Sequence, residues 1–135
     1  MVVFAKRILM AMIRFHQEGK YMKLVVFNVG SALCVYAEHQ TTRIVFDIGK
    51  GNNFSPVNDF LLPLYEKRGE HRLKNRNNRY GISQLIVSHP HKDHISDIQE
   101  FDKNFYAHLL TTPNSKSPNG NPQNINWRKI TTPDD

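Results

Sequence analysis

The most informative segment of this 135-residue chain is Leu85-Ile86-Val87-Ser88-His89-Pro90-His91-Lys92-Asp93-His94. It opens with a short apolar run of the kind that forms strands buried on both faces of a sheet. Three imidazoles and a carboxylate then follow within six residues. These groups are preferred ligands of zinc and similar transition metals. The segment therefore predicts a buried strand that ends directly at a metal-binding loop.

The spacing of the four candidate ligands suggests how they divide between metal ions. In an extended segment alternate side chains point to one side, which places His89, His91 and Asp93 together. A turn at Asp93 brings His94 to a neighbouring position. We therefore expect His89 and His91 to hold one metal ion, and Asp93 with its neighbour to hold a second. Zinc is the expected ion, with manganese or iron as alternatives; a solvated polar turn is the alternative to a metal site.

Three short strand patterns precede this segment. They cover residues 24–29, 33–37 and 43–46, and their tight connections predict an antiparallel meander. The third runs into Asp47-Ile48-Gly49-Lys50-Gly51, a loop in which glycine permits a close backbone approach. The predicted meander therefore ends in a polar loop, in addition to the polar loop that carries the histidines.

Two helices are predicted on either side of the metal-binding segment. The first covers residues 56–65, with Ser55 as its N-cap, Pro56 at the first helical position and a kink at Pro63. The second starts near Ser96 or Asp97. Its apolar face carries Ile98, Phe101 and Phe105.

The chain ends differ in composition from the middle. Residues 1–21 mix apolar side chains with four lysine and arginine residues, which fits a basic amphipathic helix at a membrane surface. We favour the alternative, an extension upstream of a start at Met22. A domain is then expected over residues 22–110, followed by an irregular tail over 111–135. No apolar run approaches the roughly 20 residues of a membrane-spanning helix.

The composition of the chain indicates which classes of partner and which compartment to expect. Lys and Arg number 18 against 12 Asp and Glu, a net charge of +6 that favours anionic partners such as nucleic acid or phosphorylated substrates. Cys34 is the single cysteine, so an intrachain disulfide is excluded and a cytoplasmic location is expected. The basic tract 67–79 predicts a solvated loop, because it contains no tyrosine, phenylalanine or tryptophan to stack on bases.

The histidines outside the segment are assigned structural positions. His16, His39 and His71 lie in polar or basic surroundings and are expected at the surface. His108 is expected on the face of a helix and not among the metal ligands.

The pattern His89-x-His91-x-Asp93-His94 after a strand resembles the signature of the metallo-β-lactamase superfamily of metallo-hydrolases. The resemblance extends over residues 23 to about 105, and is closest to the branch similar to the hydrolase domain of bacterial competence (DNA-uptake) proteins. Further segments occur in the order seen in that branch: Asn28-Val29-Gly30, Val45-Phe46-Asp47-Ile48-Gly49, Phe60-Leu61-Leu62-Pro63-Leu64-Tyr65, Lys67-Arg68-Gly69 and Leu85-Ile86-Val87-Ser88-His89-Pro90.

This resemblance implies a fold and a reaction. The fold is an αββα sandwich of the α/β class, with metal ions at the edge between its two sheets. His89 and His91 would hold metal 1, while Asp93 and His94 would hold metal 2. Asp47 would accept a hydrogen bond that orients a ligand histidine. A metal-activated water would attack a phosphodiester, or another ester or amide, with Asp93 taking a proton.

The chain departs from the family pattern in two short segments, one directly after the motif and one after the first predicted strand. Ser96-Asp97 stands where a Gly-Gly pair is usual, and Gly30 is followed by Ser31-Ala32 where a glycine-rich turn is common. Both changes are expected to narrow the approach to the site.

Length is the third departure. Only 41 residues follow His94, too few for the half-domain that supplies the family's remaining ligands. The expectation is the N-terminal half of the sandwich, weak or inactive alone, with a second chain completing the domain. Its folding should be marginal, because an apolar sheet face carrying Leu24, Val26, Val45 and Ile86 would lack a partner. The alternative function is a non-catalytic fragment, or a nucleic-acid-binding module that uses the basic tract.

Overall fold

The computed structural model describes residues 2–5, 8–17, 20–89 and 91–112, with side chains from residue 21 onward. These residues form one mixed sheet of eight strands and several short helices, so the α/β class is confirmed. The strands are β1 (Val2–Ala5), β2 (Ile8–Gln17), β3 (Lys20–Phe27), β4 (Cys34–His39), β5 (Thr42–Ile48), β6 (Arg72–Leu73), β7 (Arg79–Ile86) and β8 (Phe105–Thr111). The helices are a π-helix (Pro56–Leu61), α1 (Leu62–Lys67), a 3-10 turn (Lys74–Arg76), α2 (Lys92–Ile95) and α3 (Ile98–Asn104).

The sheet changes from antiparallel to parallel at β5. Strands β1 to β5 pair in chain order as an antiparallel meander, which confirms the prediction for β3, β4 and β5. Strand β7 then pairs parallel to β5 on one edge and parallel to β8 on the other. The short β6 pairs antiparallel to the start of β7. Strand β7 is therefore enclosed by two parallel neighbours, as a buried strand requires.

The N-terminal residues are strands, so the amphipathic-helix interpretation is wrong. Strand β2 pairs with β3 along its whole length, from Met10 opposite Phe27 to Gln17 opposite Lys20. Without β2, this edge of β3 would present unpaired backbone donors and acceptors, and edge pairing overrides a weak helical pattern. Strands β1 and β2 therefore extend the sheet.

The first predicted helix forms in two segments. Ser55 is its N-cap, as predicted, and its hydroxyl accepts a hydrogen bond of 3.0 Å from the Asn58 backbone N–H. A π-helical stretch leads into α1, and the Leu62 N–H donates to the Val57 carbonyl five residues earlier. Pro63 lies in the first turn of α1, where its missing N–H is tolerated. The structure shows a change from π to α geometry between Leu61 and Leu62, just before the position at which a kink is predicted.

The second half of the described chain holds three corrections. Helix α3 starts after Asp97 as predicted, but it ends at Asn104, and β8 follows it. His108 is therefore exposed on a strand and not on a helix. The tract 67–79 contains β6 and a 3-10 turn, so it is only partly a loop, and β7 already begins at Arg79. The predicted tail beyond residue 112 lies outside the described residues.

The helices pack on one face of the sheet. The core there joins sheet residues Val25, Tyr36 and Val45, all fully buried, to helix residues such as Tyr65 and Phe101. Val45 was expected on the uncovered face, and that expectation is wrong. Leu24, Val26 and Ile86 lie on the other face and are partly exposed. On the same face Phe46 is 38% and Leu109 is 48% exposed. Among the described residues, no helix is long and apolar enough to cross a membrane.

Candidate functional site

The parallel pairing of β5 and β7 brings two polar loops to one edge of the sheet. Phe46 lies opposite Ile86 in the register, so the chain leaves both strands at the same level. Asp47, near the end of β5, and Ser88, just after β7, therefore meet. Carboxyl ends of parallel strands at a change of sheet direction are a common place for binding sites in α/β proteins.

Asp47 is the buried centre of this edge. Its side chain is 2% exposed, and its backbone adopts a left-handed conformation with φ of 53°. Its carboxylate accepts hydrogen bonds of 2.7 Å from both the backbone N–H and the hydroxyl of Ser88. Oδ2 also lies 2.7 Å from Nδ1 of His94. One carboxylate thus ties the end of β7 to a histidine of the motif.

The four predicted ligands lie together around this carboxylate. The ring centroids of His89 and His94 are 3.8 Å apart, and those of His89 and His91 are 4.5 Å apart. Nε2 of His94 lies 3.4 Å from Oδ2 of Asp93. His91 and Asp93 are exposed, while the other two are partly buried. The loop thus presents three imidazoles and a carboxylate at the protein surface.

The chemistry of these donors matches zinc, whereas their arrangement is not that of a closed coordination sphere. The rings of His89 and His94 pack against each other with an interplanar angle of 47°. Within the described parts of the chain, no group of three or more His, Cys, Asp or Glu side chains is placed to hold a metal ion. Imidazole nitrogens and carboxylate oxygens are nevertheless the ligand types of protein zinc sites.

The glycine-bearing loop after β5 packs against the backbone of the histidine motif. A Cβ atom at Gly49 would lie 2.7 Å from Cβ of Ala32 and would collide with the carbonyl oxygen of Asp93. The Gly49 N–H donates to the Leu33 carbonyl at 2.8 Å, and the Leu33 N–H donates to the Asp93 carbonyl at 3.2 Å. The close backbone approach predicted for this loop is confirmed, and its neighbour is the motif itself.

Ser96 and Asp97 hold the other side of the loop, a role that the sequence did not indicate. The Ser96 hydroxyl accepts a 2.8 Å hydrogen bond from the Lys50 N–H. Oδ2 of Asp97 accepts from the Ser55 hydroxyl at 2.6 Å and from the Val57 N–H at 3.0 Å. Asp97 is 1% exposed, so it braces the helix start and does not narrow the approach to the site.

Burial governs the ionisation of the groups beneath the site. It raises the pKa of Asp97, although the hydrogen bonds from Ser55 and Val57 oppose the rise. It also raises the pKa of the buried Cys34 thiol, with Asp97 and Asp47 adding to the effect. The thiol of Cys34 is therefore inert as a nucleophile or ligand in this position.

Three further histidines, His39, His71 and His108, have described side chains. His39 and His71 are exposed, as predicted, while the side chain of His16 lies outside the described residues. His108 faces Gly81, where an added Cβ would lie 2.9 Å from its Nε2. Among the described side chains, His39, His71 and His108 do not join the cluster around Asp47.

Comparison of the chain with protein-family models, with curated proteins and with solved structures found no match.

Proposed function

We propose that this chain carries the ligand loop of a metal-dependent hydrolase of the metallo-β-lactamase type, and that its sheet is one layer of an αββα sandwich. The substrate class is a phosphodiester or another anionic ester. The observation that carries the proposal is the 2.7 Å contact between Asp47 Oδ2 and His94 Nδ1. A buried carboxylate behind a histidine is the usual companion of a metal-binding imidazole.

The donor set fits two adjacent metal ions. His89 and His91 would hold one, and Asp93 with His94 would hold the other, with zinc as the expected ion and manganese or iron as alternatives. When bound, such an ion lowers the pKa of its water from 15.7 to about 7 and so supplies hydroxide at neutral pH. Two protein ligands for each ion are few, so we expect weak binding and weak turnover.

Asp47 prepares His94 for this role. Because a carboxylate only accepts hydrogen bonds, the proton of a neutral His94 belongs on Nδ1, and Nε2 keeps its lone pair. That nitrogen faces Asp93 at 3.4 Å. The two side chains therefore present a nitrogen and an oxygen toward the same space.

Asp93 has a second role as a proton acceptor. Its carboxylate is exposed at the loop surface, next to His94 Nε2. A carboxylate in this place is within reach of a water or of a substrate oxygen beside the histidines. Asp93 is therefore the residue we assign to take a proton during hydrolysis.

Zinc binding tests the proposal. The His91→Ala, Asp93→Ala double variant should bind zinc at least 10-fold more weakly than the wild-type chain in competition with a chromogenic chelator. His71→Ala, at an exposed site elsewhere, is the matched control and should bind zinc as the wild type does. Equal zinc affinity and stoichiometry in the double variant would overturn the ligand assignment.

Hydrolysis of bis(p-nitrophenyl) phosphate with zinc or manganese is the second readout. We expect slow turnover that is lost in His91→Ala. Metal-dependent turnover that persists in this variant would show that the histidine loop is not where hydrolysis takes place.

A second candidate function is nucleic-acid binding through the basic tract 67–79. Its sequence lacks tyrosine, phenylalanine and tryptophan, but two strands supply tyrosines to it. The Arg72 guanidinium lies 4.3 Å from the ring centroid of Tyr80, and that of Arg76 lies 4.4 Å from the ring of Tyr106. Tyr80 is buried, so the Arg76–Tyr106 pair is the one placed to meet the phosphates and bases of a single strand.

Oligothymidine binding at several salt concentrations tests this candidate. The Arg76→Gln and Tyr106→Ala variants should each bind several-fold more weakly, and the Arg76 variant should have a shallower salt dependence. Lys103→Gln, which removes an exposed charge paired with Glu100, is the control. Unchanged affinity in both variants would refute a role for the tract.

A further inference from the structure

A cleft of about 280 Å³ lies next to the histidine loop and takes no part in the ligand set. Its walls are two loops, residues 28–31 after β3 and residues 50–54 after β5. The volume is near the lower end of the range for small-molecule sites. It suits a group the size of a sugar phosphate better than a larger ligand.

The lining of the cleft favours an anion. Its polar side chains are one ammonium group, one hydroxyl and three amides, contributed by Lys50, Ser31, Asn28, Asn52 and Asn53. None of the described residues that line the cleft carries a carboxylate. Within the described residues, Ser31, Asn52 and Asn53 make no hydrogen bond, and all three are exposed. Donors are therefore available in a space without a competing negative charge.

The two carboxylates whose pKa the Lys50 charge lowers do not line the cleft. The positive charge of Lys50 lowers the pKa of Asp97 and of Glu100, although neither residue lines the cleft. Glu100 is paired with Lys103 at 2.8 Å, and one oxygen of Asp97 accepts two hydrogen bonds. Lys50 itself has no ion pair within the described residues. Its charge therefore remains available to a ligand.

The floor of the cleft is apolar and closely packed. Val29 is 4% exposed, and the ring of Phe54 packs against that of Phe27 with 5.6 Å between centroids. The Gly51 N–H donates to the Phe54 carbonyl at 2.9 Å and closes the second loop on itself. A Cβ at Gly51 would lie 3.4 Å from Cα of Val29, so the two loops are in close contact. The cleft is thus formed before any ligand binds.

Backbone contacts couple the cleft to the histidine loop. The Lys50 N–H donates to Ser96, directly after the helix that carries Asp93 and His94. Gly49, one residue earlier, lies against the Asp93 carbonyl. A ligand that fills the cleft therefore lies beside the loop that carries the histidines.

We propose that this cleft binds a sugar phosphate, with Lys50 and the amides of Asn52 and Asn53 as donors to the phosphate oxygens. The proposal deepens the hydrolase proposal and rests on it in one respect: the bound group would be the nucleotide adjacent to the phosphodiester that is cleaved. Phosphate recognition by Lys50 does not itself require a metal ion.

Binding to the zinc-free protein tests the cleft separately from the metal site. Isothermal titration would use thymidine 5′-monophosphate, inorganic phosphate and thymidine as probes. We expect the nucleotide to bind at least 10-fold more tightly than phosphate alone, and thymidine not to bind. Phosphate that binds as tightly as the nucleotide would overturn the sugar-phosphate assignment.

Variants locate the site. Lys50→Gln should weaken nucleotide binding at least 10-fold, and Asn53→Ala several-fold, while Lys103→Gln should leave it unchanged. Both cleft residues are exposed, so thermal unfolding should match the wild type. Wild-type nucleotide affinity in Lys50→Gln would refute the proposal. His91→Ala should retain nucleotide binding, because His91 does not line the cleft. A wild-type chain that binds the nucleotide but not zinc would therefore refute the hydrolase proposal and leave the phosphate site standing.

Discussion

Replacing Asp47 by asparagine tests how the site prepares His94. Asparagine has nearly the same shape as aspartate and tolerates a left-handed backbone, so the φ of 53° at this position is retained. The Ser88 N–H needs an oxygen, which places the new amide nitrogen where Oδ2 faces His94 Nδ1. An N–H₂ group can only donate there. His94 must then accept at Nδ1 and carry its proton on Nε2, the nitrogen assigned to the metal.

Two magnitudes follow from this change of tautomer. Loss of the acceptor behind a metal-binding histidine typically weakens metal affinity 10- to 100-fold, or about 1.4 to 2.7 kcal/mol. The fold is less affected, because the substituted amide keeps the Ser88 N–H bond and donates to the Ser88 hydroxyl. We expect the unfolding free energy to fall by about 1 to 2 kcal/mol, the difference between charge-assisted and neutral hydrogen bonds.

Three measurements test the predicted change of the His94 tautomer and its two consequences. Nitrogen-15 NMR of the zinc-free protein should place the His94 proton on Nδ1 in the wild type and on Nε2 in Asp47→Asn. Zinc competition should give the affinity loss, and urea unfolding the stability. Asp102→Asn, which removes an ion pair with Arg79 at the opposite end of β7, is the matched control. If zinc affinity is unchanged although the proton has moved to Nε2, His94 is not a ligand through that nitrogen.

Three further predictions concern the surroundings of the site. Asp97→Asn should leave the free energy of unfolding nearly unchanged, because one oxygen still accepts from the Ser55 hydroxyl and the Val57 N–H. Asp97→Ala should lose about 2 kcal/mol in urea unfolding, and equal losses in the two variants would contradict this. Gly49→Ala should lose about 2 kcal/mol by overpacking against the Asp93 carbonyl, and a wild-type melt would contradict it. Burial would raise the pKa of Glu38, but hydrogen bonds from Arg68 and Tyr36 outweigh it and lower the pKa from 4.5 to about 2. The folded state therefore binds this proton less readily than the unfolded state, so stability should fall from about pH 5 to pH 2, by about 1 to 2 kcal/mol after solvent screening. Thermal melts of Glu38→Gln should show a shallower loss over this range, and an unchanged slope would count against the assignment.

The elements that sequence reasoning found are those fixed by local signals. Alternation and β-branched residues marked the meander of β3 to β5, and the Ser55 hydroxyl marked a helix start through its bond to Asn58. Both signals act between residues near in sequence or joined by tight turns. They therefore survive when the rest of the chain folds around them.

The elements that it missed are fixed by pairing between distant strands. Phe105 continues the helical spacing of Phe101 and is buried as expected, yet its backbone pairs with Tyr80 on β7. The apolar spacing records burial, and a chain that leaves a helix as a strand can keep the same residue buried. β2 is a similar case, because its pairing with β3 is not visible in its own periodicity. Tertiary pairing decided both elements.

The candidate site shows the same difference between residues close in sequence and residues joined only by folding. The four loop residues are close in sequence and were predicted as a group, whereas Gly49 and Asp97 support them through contacts that only the folded chain makes. Asp47 was identified only by resemblance, and it lies 47 positions before His94. Because the supporting residues are buried or tightly packed, changes there should lower folding stability and zinc affinity together. Changes at the exposed His91 should lower zinc affinity alone, since its side chain contributes little to the core. A His91 variant as unstable as Gly49→Ala would show that the histidines hold the fold together and would weaken the case for a functional site.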